Sequence, residues 1–126
     1  MDKQDATTFV HDLYHAVDRK DVGYLSDVLA EQCRFRLGNN PEVINKGQIL
    51  EGNRHFFESI KSMSHSIEEV VFQAPEESGA AKVNCYGSVY YERLDGSNTS
   101  AVFATHLQVE KGLITDYLVF ADLSAL

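Results

Sequence analysis

An α+β fold is predicted by three features of the sequence: apolar residues recur at helical spacing as far as Ser64, the period then falls to two, and the later apolar runs are separated by short turn segments. Helices followed by an antiparallel meander place three N-terminal helices on one face of a curved, mostly antiparallel sheet. The 126 residues contain no internal repeat and no linker, so one domain spanning 1–126 is expected.

From Gln4 to Lys20, Ala6, Phe9, Val10, Leu13, Ala16 and Val17 form one helical stripe, with Asp2 or Asp5 available as N-cap. Asp21 caps a second helix whose apolar face is Val22, Leu25, Val28 and Leu29. Cys33–Leu37 alternates as a short strand until the turn cluster Gly38-Asn39-Asn40-Pro41. A third helix follows Lys46-Gly47, with Ile49, Leu50, Asn53, Phe56, Phe57, Ile60 and Met63 on one face. Strands are then expected over about 65–73, 80–93, 101–109 and 113–122, joined through Pro75–Gly79, Asp95–Asn98 and Glu110–Gly112.

Composition excludes several functions. Eleven basic against nineteen acidic residues give a net charge of −8 with the cations scattered, which disfavours nucleic acid. No apolar run approaches a membrane span or a signal-peptide core, so a soluble, cytoplasmic protein without a membrane partner is expected. Cys33 and Cys85 are far apart in sequence and lack metal-ligand spacing, so both are read as reduced thiols. Neither a phosphate-binding loop nor a dinucleotide fingerprint occurs, and no cofactor is expected.

The order helix, Asp21, helix, short strand, Gly47-led helix and four strands, ending in a Gly-hydrophobe-Ile-x-x-Tyr-x-x-Phe-x-Asp pattern at Gly112–Asp122, resembles the nuclear transport factor two-like superfamily. The SnoaL-like branch is the most similar, and the resemblance covers essentially the whole chain. It implies an α+β cone whose sheet curls around a pocket, and dimerisation through the sheet's outer face. It does not transfer a reaction. Anchored on Lys20-Asp21, the hydrogen-bonding tyrosine of the superfamily's ketosteroid isomerases falls on Leu13, with Tyr14 one residue away; the base falls on Leu37 and the protonated acid on Thr105. The catalytic positions of its epoxide hydrolases fall on Tyr86, Ser88, Val119, Phe35 and Leu37, and those of its polyketide cyclases on Thr105 and Val119. The acid of scytalone dehydratase matches Asp18, but its partner tyrosine again falls on Leu37. No catalytic set of the superfamily is matched, and no catalytic residue is assigned.

If residues 105 and 119 face the pocket, alternation along the strands assigns the other positions. The expected pocket comprises Leu13, Phe35, Leu37, Asn53, Phe57, Tyr86, Ser88, Tyr90, Phe103, Thr105, Tyr117 and Val119. The expected dimer face comprises Val83, Cys85, Val89, Tyr91, Val102, His106, Leu118 and Phe120, an apolar set of the kind that marks an interface. Asp116 and Asp122 fall on the same outer parity. His11 and His15 share a helix face without a third ligand, so no metal site is expected. The function expected is binding of a small hydrophobic or aromatic molecule without acid–base catalysis. One alternative is an isomerase, cyclase or dehydratase acting on a hydrophobic ring substrate, with Asp18 or His55 in the cavity; the other is a structural homodimer with a filled cone.

Overall fold

The computed structural model describes residues 1–77 and 79–126; Ser78, within the expected Pro75–Gly79 turn, lies outside the described residues. Helix α1 runs Lys3–Asp18 and is started by a capping box. The Asp5 amide donates to Asp2 Oδ1 at 2.8 Å and the Asp2 amide to Asp5 Oδ2 at 3.0 Å, satisfying two amide donors at the helix start. Lys20, at φ 59°, then turns the chain so that Asp21 caps α2, Val22–Val28, through the Tyr24 amide. Strand β1, Leu29–Leu37, follows directly and starts earlier than the alternation of 33–37 indicates. Its pairing is irregular between Leu29 and Arg34, which hides the period over that stretch. The two-residue strand β2, Val43–Ile44, pairs with β1.

Helix α3 spans Lys46–Glu58, capped by Asn45, and β3 begins at Ile60. Ile60 and Met63 are therefore strand residues, not the end of the helical stripe. Ser59 closes the helix, its amide donating to the His55 and Phe56 carbonyls and its hydroxyl to the Phe56 carbonyl. A bulge between Ile60 and Ser62 keeps two residues three apart on one face of a strand, which mimics helical spacing. The remaining strands are β3 Ile60–Gln73, β4 Ala81–Arg93, β5 Asn98–Glu110 and β6 Leu113–Ala121. Six strands form one sheet in the order β2-β1-β6-β5-β4-β3, antiparallel except for the β1–β6 pair. Among the described residues, no helix is long and apolar enough to cross a membrane.

The helices cover the concave face, and Leu13, Leu25, Leu29, Ile49, Leu107 and Ile114 are sealed between the layers. Each such side chain contributes on the order of 2 kcal/mol by leaving water. Curvature comes from a second bulge in β3, between Ile67 and Glu69, seated against Gly87 of β4.

The registers fix which residues face inward. Cys85 pairs with Thr105 and Thr105 with Val119, and directly opposed residues share a face. The odd residues of β4 therefore point inward with Phe103, Thr105 and Leu107, so Val83, Cys85, Val89 and Tyr91 are buried. Tyr86, Tyr90 and Asn84 are exposed on the convex face, with Ser88 half-buried beside them. This reverses the expected assignment of β4. Its physical basis is the β4–β5 hairpin, whose pair Glu92–Asn98 sets the register one residue away from the ungapped alignment on Gly96.

Candidate functional site

The concave side encloses a cavity lined by α1, α3 and the inward residues of five strands. Its walls are mostly aromatic: Phe35 of β1, Phe56 and Phe57 of α3, Tyr91 of β4, Phe103 of β5 and Tyr117 of β6, with Tyr14 from α1. Leu37, Asn53 and Val119 also line it, as expected, whereas Leu13 packs wholly within the core. Asn53 is held by its own helix, its side-chain amide donating to the Ile49 carbonyl at 2.9 Å. Thr105 is buried just behind the wall. The space is about 40 Å³, room for about three waters at roughly 10–15 Å³ each. Two clefts adjoin it and share wall residues with it: one of about 140 Å³ beside Phe35, Leu37, Asn53 and Phe56, and one of about 410 Å³ beside Leu37, Phe56 and Leu123.

His65, which carries no sequence assignment, changes the chemistry of this wall together with Asp18, which the enzyme alternative set in the cavity and which lies behind His65. His65, on β3 opposite Val89, points inward with a side chain only 8% exposed. Its Nδ1 lies 2.6 Å from Asp18 Oδ1, and its backbone amide donates to Asp18 Oδ2 at 3.0 Å. Both carboxylate oxygens are thus engaged by one residue. A carboxylate at the C-terminal end of a helix opposes the helix dipole by about 0.3–1 kcal/mol, so α1 itself gives no reason for an acid there. The two bonds from His65 offset that cost and orient the ring. With Nδ1 as the donor to Asp18, Nε2 is the basic nitrogen and is available to a molecule in the cavity.

Tyr14 supports the same ring. Its centroid lies 4.5 Å from that of His65, and Phe103 meets His65 edge-on at 5.1 Å. The Tyr14 hydroxyl and Thr105 Oγ1 are 2.5 Å apart. Burial, with Tyr117 and Cys85 beside it, holds the Tyr14 phenol well above its usual pKa, so it stays protonated and serves as a hydrogen-bond donor. Burial first, and then the charge of Asp18, push Tyr91 up to about 12. Burial pushes the Cys85 thiol to about 11, which makes it an inert core group and no nucleophile.

His55 is exposed and pairs with Glu51 at 3.0 Å, away from the cavity. His11 and His15 lie on the exposed face of α1. Among the described residues, no cluster of His, Cys, Asp and Glu has the makings of a metal site. Asp116 is engaged on the convex face by Arg34, at 3.1 Å, and Asp122 caps the Ser124 amide.

The family model of the SnoaL-like domain matches residues 10–117. The chain belongs to this family. Solved structures with the same architecture include an NTF2-like protein of unknown function from Burkholderia pseudomallei. It is 17% identical, with 99% of this chain and 95% of that one covered and a TM-score of 0.78. An LEH-like epoxide hydrolase from M. tuberculosis is 11% identical over 97% of this chain and 86% of that one, again with a TM-score of 0.78. An NTF2-like protein of unknown function from Exiguobacterium is 17% identical over 87% and 94%, with a TM-score of 0.72. At such identities the likeness establishes the α+β fold of this SnoaL-like domain and nothing finer. No curated protein matches it.

Proposed function

We propose that this SnoaL-like domain is a proton-transfer enzyme acting on a small, uncharged, ring-containing molecule. The observation that carries the reading is His65 in the wall of a mostly aromatic cavity, with the Asp18 carboxylate behind it on Nδ1. The binding-only expectation needs a pocket without an imidazole; His65 supplies one, and Asp18 backs it from behind the wall. His65 Nε2 takes a proton from the bound molecule and returns it at a neighbouring atom or to a leaving oxygen. Asp18 keeps Nδ1 protonated and stabilises the imidazolium as it forms. With Thr105 as the donor in its hydrogen bond to Tyr14, the Tyr14 proton is left for an oxygen of the ligand. Among the described residues the cavity wall has no Lys, Arg, Asp or Glu to pair with a charged ligand, and the chain's net charge of −8 disfavours an anion, which supports a neutral ligand. This chemistry fits isomerisation, dehydration or cyclisation next to a carbonyl.

The test has two stages. Thermal-shift measurements on uncharged cyclic and aromatic ketones identify binders, since a ligand at 100 times its Kd adds about 2.7 kcal/mol of stability. Val119→Trp, which fills the cavity, removes that shift. Binders are then incubated in D₂O with the protein, and deuterium uptake at the carbon beside the carbonyl is followed by NMR. Uptake catalysed by the wild type supports the reading; binding through the cavity without catalysed uptake leaves only the binding role.

The convex face carries a second proposal, a homodimer. Val102 is 79% exposed and Phe120 is 50% exposed, beside the exposed Tyr86 and Tyr90 and the partly exposed Leu118. With β4 assigned to its observed face, this patch replaces the expected set Val83, Cys85, Val89 and Tyr91, which lies in the core. Arg36 is exposed near one edge of the sheet and Glu68 and Glu69 near the other. A two-fold axis parallel to the strands sets each edge over the opposite edge of the second copy, so the charges complement one another. Sedimentation at micromolar concentration is expected to give two subunits for the wild type and one for Val102→Asp. A wild-type monomer overturns the proposal.

A further inference from the structure

A cavity of about 40 Å³ is too small for a ring compound, so a ligand must enter through a part of the wall that moves. The wall is sheet and helix on every side but one. Beyond β6 the chain leaves the ladder and crosses the mouth of the cone as residues 122–126. Leu123 of this strap packs on the core cluster and lines the cavity together with the cleft of about 410 Å³ and a further one of about 220 Å³ beside Gly38, Asn39 and Asp122. The strap has few ties. Its internal bonds are Ser124 amide to Asp122 Oδ1 and Leu126 amide to Leu123 carbonyl, each 3.0 Å. Its anchor to the rest of the protein is Arg93, at the end of β4. The guanidinium donates to the Ala125 carbonyl from Nε at 3.2 Å and Nη2 at 2.7 Å, while Nη1 is held by Ser97 Oγ and the Asn98 carbonyl.

We infer that the 122–126 strap is the gate of the cavity, with Leu123 as its plug and Arg93 as its latch. The inference rests on the proposed site only in taking His65 as the group being shielded. A short apolar plug on one charge-assisted latch opens far more readily than a paired strand, because little area and few hydrogen bonds are given up. Opening joins the cavity to the cleft of about 410 Å³ beside Phe56, Leu37 and Leu123 and makes room for a ring. The latch carbonyl belongs to the backbone, so the device is insensitive to the side chain at position 125.

Access is read without any ligand by acylation with diethyl pyrocarbonate, a small neutral reagent for imidazole, followed by peptide mass spectrometry. His55, whose side chain is 72% exposed, is the internal reference. In the wild type His65 is expected to react at least tenfold more slowly than His55. Arg93→Ala and Leu123→Ala are each expected to raise the His65 rate at least fivefold while leaving that of His55 unchanged. The buried thiols Cys33 and Cys85 report unfolding, and their unchanged reactivity with a disulfide reagent shows that the core is intact. Because Arg93 also braces its hairpin, Leu123→Ala decides the matter if Arg93→Ala exposes the thiols. A His65 rate that stays at the wild-type value in folded Leu123→Ala overturns the gate. The assay reads access and not turnover, so failure of the gate and failure of the proton-transfer reading are separate results.

Discussion

Asp18→Asn is expected to slow ligand deuterium exchange by about 10²-fold or more while changing ligand affinity only a few-fold. The carboxylate accepts two hydrogen bonds from one residue, from His65 Nδ1 and from the His65 amide. An asparagine has one acceptor oxygen and one NH₂ group, so one of these donors must face another donor or the ring must change tautomer. If the amide oxygen keeps the backbone N–H, the NH₂ faces Nδ1, which then becomes the acceptor. The proton moves to Nε2 and His65 ceases to be a base towards the cavity. If the amide oxygen keeps Nδ1, the backbone N–H faces the NH₂ group at a cost of about 1–3 kcal/mol, and the imidazolium loses its counter-charge. Exchange rates with imidazole ¹⁵N shifts check this: loss of rate with a changed tautomer or a raised barrier is the expected result. Wild-type exchange in the variant removes Asp18 from the mechanism.

The largest expected effect on stability is at Gly87. A Cβ there meets the Ser66 carbonyl oxygen at 1.9 Å and the Ser66 carbonyl carbon at 2.9 Å, both backbone atoms with no rotamer to yield. Gly87→Ala must push β3 away from β4 at the bulge that bends the sheet around the cavity. Overpacking typically costs 1–3 kcal/mol, and about 3 kcal/mol or more is expected where the obstacle is backbone. Urea unfolding checks this; a variant within about 0.5 kcal/mol of the wild type, the range of an ordinary surface substitution, contradicts the close approach.

The helices were readable because their stripes and caps are local. Asp2, Asp21 and the runs at Ala6–Val17 and Ile49–Phe57 need no distant partner. The length of β3 was not readable from period alone, since the bulge at Ile60–Ser62 imitates a helical step. The β4 face was readable from the chain itself. Ala81, Val83, Cys85, Gly87, Val89 and Tyr91 are apolar or bury an aromatic ring, while Lys82, Asn84, Ser88 and Glu92 alternate with them as polar residues. The ungapped alignment on Gly96 opposes that signal, shifting β4 by one residue from its observed register. The same slip concealed the site: His65 lies opposite Val89, and placing Val89 outside leaves His65 outside as well. Leu13 and Tyr14 are adjacent, and a one-residue step on a helix turns a side chain by about 100°; Tyr14 meets the cavity and Leu13 the core. Asp18 and His65 are 47 residues apart, with no motif linking them. Only the pairing of α1 with β3 brings them together.

The most direct test of the central claim compares wild type and His65→Gln in the deuterium-exchange assay. Each is saturated with the same ketone, with occupancy fixed by thermal shift. Proton transfer by His65 predicts catalysed exchange in the wild type and a loss of about 10²–10⁴-fold in the variant at equal occupancy. Exchange at the same rate in both proteins, or a ligand that fills the cavity and exchanges no faster than in buffer, contradicts it.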